Sequence, residues 1–195
     1  MATVSFSCFT SAAVDCSLAD FTADVQKALH DVKECSRLVY KRPPLVLAGR
    51  RLKYKKRDSA IPSDSSNAYS GGLAIILCTA KEAESREICG MNGLSCYNST
   101  LDTIFINYDN WRCVAGPFGD ACSNSSGGTA QNAQSWYRKY VIRHEVGHFL
   151  GARHPTKAEL EGETVAPVMM QQTKGIGKLR ANVDYTALDR RLMAL

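Results

Sequence analysis

The chain lacks most of the features that would assign it at once to a class. No apolar run approaches the ~20 residues a membrane-crossing helix needs, so no span is expected. No internal repeat and no low-complexity tract appears, which argues against a solenoid or a long linker. None of the eight cysteines forms a Cys-x-x-Cys pair, so a cysteine zinc site is unsupported. Residues 1–17 contain no basic start followed by an apolar block, and no signal peptide is expected in them. Histidine is scarce: there are four, and three of them fall within the eleven residues 144–154.

What is present suits one globular domain. A length of 195 residues allows a sizeable core. The apolar fraction of 45% and the charged fraction of 22% are ordinary for a soluble globule. A monomer is expected. The net charge of +5 is concentrated at Arg50, Arg51, Lys53, Lys55, Lys56 and Arg57. Leu52 and Tyr54 alternate with these charges, the pattern of a strand with one solvated face. That reading is preferred to a nucleic-acid patch, and no nucleic-acid partner is expected.

The cysteines are Cys8, Cys16, Cys35, Cys78, Cys89, Cys96, Cys113 and Cys122. Their even number fits disulfides and an oxidising compartment. Sequons at Asn98 and Asn124 fit the same setting, so a secreted or extracytoplasmic protein is expected. Cys89–Cys96 and Cys113–Cys122 would each close a short loop, although sequence does not fix connectivity. Buried thiols in a cytosolic protein are the other reading.

The eleven residues from His144 to His154 read HEVGHFLGARH. On a helix, His144 and His148 lie one turn apart on one face and can reach one metal ion at roughly 2.0–2.1 Å each. Glu145 points about 100° around the helix from His144. That places it beside a bound ion, where a base for water belongs. A left-handed Gly151 would end the helix and let His154 swing back as third ligand. Three neutral nitrogens leave a fourth position open, as a catalytic Zn2+ requires. The bland alternative is a solvated helix face with a core histidine, but the glycine and third histidine at fixed offsets argue against it.

The periodicities predict the surrounding elements. Residues 4–9 alternate as a strand. Leu18, Phe21, Val25, Ala28 and Leu29 have helical spacing over residues 17–32, with Ser17 or Asp20 as cap. Residues 45–56 read as one or two strands, and 58–72 as a loop. Residues 73–78 (LAIILC) read as a strand buried on both faces, and 89–99 as a stapled turn. Residues 103–108 form a further strand, and 116–128 a loop. A helix opening near Ser135 carries the histidines, with Trp136 and Tyr140 packed inward. Pro155 forbids its continuation. Residues 185–195 have Leu188, Leu192 and Leu195 at helical spacing, with Asp184 as cap.

His144, Glu145, His148, Gly151 and His154 match HExxHxxGxxH, so the chain resembles the metzincin zinc metallopeptidases. Further pieces are residues 21–31 (FTADVQKALHD), Ile106-Asn107 through Trp111, residues 137–141 (YRKYV), and Ala166-Pro167-Val168-Met169 through Thr173. With these the chain resembles a largely uncharacterised, mostly actinobacterial family of predicted metzincin-like peptidases. It departs from that family in having no cysteine after Cys122 and in ending in a charged helical segment. The resemblance implies an α+β fold in one domain. Its upper part, 1–151, would hold a twisted mixed sheet, a backing helix and the zinc helix. Its lower part, 152–195, would hold a methionine-bearing turn and a terminal helix.

The same resemblance implies that Met169 or Met170 forms the apolar floor under the zinc, Met169 being preferred. It implies peptide-bond hydrolysis with Glu145 as general base and a peptide or protein substrate lying in a cleft. Such a substrate would pair with the strand at 103–108 as the sheet edge. Tyr185 is a candidate transition-state stabiliser. A catalytically inactive zinc-bearing binding module of the same fold is the alternative.

Overall fold

The computed structural model describes residues 5–11, 14–30, 72–84, 93–99, 103–113, 116–118 and 127–193. The strands expected over 45–56, the basic run 50–57, the loop over 58–71, Cys35, Cys89, Cys122, the Asn124 sequon and Leu195 lie outside the described residues. What is described is a mixed α+β structure in two compact units.

The first unit comprises Met1–Gln26 and Lys33–Tyr108. It holds a four-stranded sheet of β1 (Ser5–Thr10), β2 (Gly72–Cys78), β3 (Cys96–Asn98) and β4 (Thr103–Asn107), in the order β1-β2-β4-β3. β2 runs parallel to both neighbours, pairing Cys8 with Ile75 and Ile75 with Ile104. Residues 73–78 of β2 are all buried, as the unbroken apolar run predicts for a central parallel strand. Fully burying each large aliphatic side chain there contributes roughly 1.5–3 kcal/mol.

The strand expected at the sheet edge is interior. β3, within the stretch read as a stapled turn, pairs antiparallel with β4 through Tyr97 and Ile104. All five residues of β4 are therefore buried. A three-residue strand carries no readable period, which is why sequence missed it.

Helix α1 (Leu18–His30) follows β1. Its Phe21, Val25, Ala28 and Leu29 are buried at the predicted spacing. Ser17 caps it: the Asp20 amide donates to Ser17 Oγ at 3.0 Å. A short helix, α2 (Ala80–Glu84), follows β2.

The second unit comprises Lys27–Val32 and Asp109–Leu195. It takes in most of α3 (Tyr108–Cys113) and all of α4 (Gly127–Phe149) and α5 (Ala187–Leu192). α4 begins at Gly127, well before Ser135, so part of the expected Gly- and Ser-rich loop is helical. Its inward stripe is Tyr137, Tyr140, Val141 and His144, all buried, whereas Trp136 is 52% exposed. The expectation that Trp136 packs inward is thus corrected by about one residue of helical rotation. α5 is capped by Thr186 rather than Asp184, because Thr186 and Asp189 form a reciprocal capping box.

Cys96 and Cys113 are in disulfides, while Cys8, Cys16 and Cys78 are thiols. Cys89 and Cys122, the partners anticipated for Cys96 and Cys113, lie outside the described residues. No helix among the described residues is long and apolar enough to cross a membrane.

Candidate metal centre

Residues 140–147 of α4 are buried on every side. Three of them are ordinarily charged or polar: Arg143, His144 and Glu145. Burying such groups is costly unless they find partners. The Arg143 guanidinium donates to the carbonyls of Ala28 at 2.6 Å and Val183 at 2.8 Å, and pairs with Asp184. Burial alone would raise the Asp184 carboxyl, but its bonds to Arg143 and Lys139 outweigh that and hold it below its usual value. This clamp holds the helix at the residue preceding the first histidine.

His144 donates from Nδ1 to the carbonyl of Val168 at 2.7 Å. His148 donates from Nδ1 to the carbonyl of Ala152 at 2.8 Å. These bonds put the proton on Nδ1 in both rings and leave both Nε2 lone pairs directed elsewhere. They are directed at each other and at His154. The three Nε2 atoms form a triangle with sides of 3.2, 3.2 and 3.0 Å.

This triangle fits a tetrahedral ion. Bonds of ~2.0–2.1 Å with tetrahedral angles put ligand nitrogens about 3.3–3.4 Å apart. The observed cluster is within a few tenths of an ångström of that. His144 is buried, His148 half-buried and His154 exposed. Protonation is disfavoured at all three, so the rings are neutral, as ligands must be. Burial first, and then the neighbouring His148, push His144 down to about 3. Burial, His148 and Lys174 push His154 down to about 4. Burial also lowers His148.

The turn after α4 explains how the third histidine arrives. Gly151 sits at φ 94°, a left-handed conformation that glycine adopts without strain. The Gly151 amide bonds to the His148 carbonyl and the Ala152 amide to the Gly147 carbonyl, both at 2.9 Å. This is the double bond pattern of a Schellman helix end. The same turn delivers the Ala152 carbonyl to His148 and reverses the chain toward His154. There Arg153 pairs with Glu159, and Thr156 and Glu159 bond reciprocally, fixing the segment just beyond the third histidine.

Of the two candidate methionines, Met169 is the one against the site helix. It is fully buried, and its Sδ lies 2.2 Å from where a Cβ on Gly147 would stand. Met170 is only half-buried, and its carbonyl accepts from Tyr140 Oη at 2.9 Å. Tyr185, the candidate transition-state stabiliser, is engaged with the backbone of α4 in this structure. It is buried, and its hydroxyl donates to the Arg143 carbonyl on the helix backbone. It supports α4 instead.

Glu145 is buried near two phenols. Burial, and next the Glu145 charge, hold Tyr137 well above the usual phenol range. Burial dominates at Tyr140 too, with Glu145 again acting in the same direction. Sequence reasoning missed two further contributors. Gln172 is fully buried and bridges Pro167, Asn182 and Tyr140 across the methionine turn. Asp189 is the other, and the signal that could have found it is the capping-box spacing Thr186-x-x-Asp189.

Residues 64–190 match the family described as a protein of unknown function, DUF3152. The chain belongs to that family. No curated protein and no solved structure matches it.

Proposed function

We propose that the chain is a zinc-dependent endopeptidase of the metzincin type. The observation that carries this reading is the convergence of the His144, His148 and His154 Nε2 atoms, with Glu145 beside the first of them on the same helix. When bound at this cluster, Zn2+ supplies Lewis acidity, lowering the pKa of water toward ~7 and polarising a carbonyl. Zinc is favoured over harder cations by an all-imidazole set of this near-tetrahedral size.

The protein's own part is positional and acid–base. His144 and His148 are held in the ligating tautomer by the Val168 and Ala152 carbonyls. Met169 sets an apolar surface against Gly147. Glu145 accepts a proton as water attacks the scissile carbonyl, and returns it to the departing amine. One C–O bond forms and one C–N bond breaks, with no net change in the protein's protonation.

The test is proteolysis of an unfolded protein substrate, with and without a chelator, by wild type and Glu145→Gln. Chelator-sensitive cleavage that the substitution abolishes supports the reading. A protein that holds zinc and cleaves nothing under any condition would instead be the inactive binding module of the same fold.

A further inference from the structure

We propose that Asp189 is a positioning residue of the histidine cluster, acting through the peptide unit between Val168 and Met169. This rests on the metallopeptidase reading.

Asp189 is fully buried. A helix cap needs one of its oxygens. Oδ2 serves that role, accepting from Thr186 N at 2.7 Å and Thr186 Oγ1 at 2.9 Å. The carboxylate does more than cap. Oδ2 also accepts from Val168 N at 3.0 Å, and Oδ1 accepts from Met169 N at 2.8 Å. These two bonds reach back about twenty residues and contribute nothing to starting α5.

The Met169 N–H and the Val168 C=O belong to a single planar peptide. One edge of that peptide donates to Asp189. The other edge accepts from His144 Nδ1 at 2.7 Å. A peptide whose N–H faces a carboxylate is polarised, and its carbonyl becomes a stronger acceptor. The imidazole proton is then held more firmly on Nδ1, and Nε2 becomes the better ligand. With a metal held at the cluster, the usual arrangement of carboxylate, histidine and metal would thus arise with one peptide inserted between carboxylate and ring. Asp189 also fixes the backbone of Met169, whose Sδ meets Gly147.

Cobalt(II) is a suitable probe, because its visible absorption reports the ligand field directly. Asp189→Asn keeps the shape but turns one acceptor into a donor facing a backbone N–H. It is expected to weaken Co2+ affinity by the ~10–100-fold typical of an outer-shell partner and to shift the cobalt bands. Thr186→Ala serves as the control, since it weakens the cap and leaves the Val168 and Met169 bonds in place. It is expected to lower the melting temperature while keeping the wild-type cobalt affinity and spectrum. Should Asp189→Asn not fold, Asp189→Glu carries the test: its displaced acceptors are expected to weaken affinity severalfold.

Wild-type affinity and spectrum in the folded Asp189 variant would overturn the proposal. An equal loss of affinity in Thr186→Ala would also overturn it, reducing Asp189 to a general stabiliser. A wild-type protein that binds no cobalt overturns the metallopeptidase reading itself. In that case nitrogen-15 NMR of His144 in the metal-free protein decides the Asp189 question separately. A tautomer fixed on Nδ1–H in wild type and mixed in the variant supports the proposal, and an unchanged tautomer overturns it.

Discussion

Met169 Sδ occupies the space that a side chain on Gly147 would fill, 2.2 Å from the position of its Cβ. Gly147→Ala must therefore displace a fully buried thioether. Overpacking of this kind costs typically 1–3 kcal/mol. Met169→Ala alone opens a cavity, at about 2–5 kcal/mol. The double variant relieves the clash, so it is expected to be more stable than the sum of the two single losses. A double-mutant cycle by chemical denaturation measures this, and additivity within about 0.5 kcal/mol would mean the two residues do not meet.

Metal content should follow the three ligands. Wild-type protein is expected to hold one zinc per chain, and His144→Ala, His148→Ala and His154→Ala each to lose it on dialysis. Elemental analysis checks this. Full occupancy in His154→Ala would remove that residue from the ligand set.

Glu145→Gln preserves side-chain size and removes the base. Zinc is expected to stay, while turnover falls by at least the ~10²–10⁴-fold that general-base catalysis supplies. Loss of zinc together with activity would instead make Glu145 a structural support of the site.

Acid should loosen the segment beyond His154. The bonds from Arg153, and next those from Thr156, hold the Glu159 carboxyl down to about 2, from an ordinary 4.5. A carboxyl depressed in the folded state contributes its stability above the unfolded value and loses it as pH falls through the folded one. The contribution is thus complete above about 4.5 and lost toward about 2. Glu159→Gln should melt below wild type at pH 6, and the gap should close by pH 2. A gap independent of pH would show that the carboxylate's charge is not involved.

Thiol reactivity should rank by burial. Cys16 is half-buried, whereas Cys8 is 1% exposed and burial pushes its thiol up to about 12. A thiol-specific reagent at neutral pH is expected to modify Cys16 in the native protein and Cys8 only on unfolding. Mass spectrometry of the modified peptides reads the order.

The histidine cluster was legible because its geometry is local. Histidines at 144 and 148, a glycine at 151 and a histidine at 154 specify a helix, its end and its reversal within eleven residues. β2 was legible because an unbroken apolar run has few other places to go. The misplacements arise where tertiary contacts decide. Trp136 and Tyr137 are neighbours in sequence, and the composition of one helical turn does not say which ring faces inward. β3 exists because β4 offers it an edge. Tyr185 sits at a plausible distance in sequence from the methionine turn, but its hydroxyl is claimed by the Arg143 carbonyl. Asp189 reads as an ordinary cap until its second pair of bonds, to a turn twenty residues earlier, is seen.

The Schellman turn at Gly151 ties the length of α4 to its contents. Had the helix run one turn further, Ala152 would carry its carbonyl along the helix axis, away from His148, and His154 would face outward. Had it stopped one turn earlier, His148 would leave the face it shares with His144. The point at which hydrogen-bonded propagation halts is therefore part of the recognition element. Fraying of these last residues is equivalent to dispersal of the cluster, and a cation held there would act as a staple on the helix terminus. Amide exchange at 150–152 should slow markedly when metal is added, while exchange in β2 stays as it was.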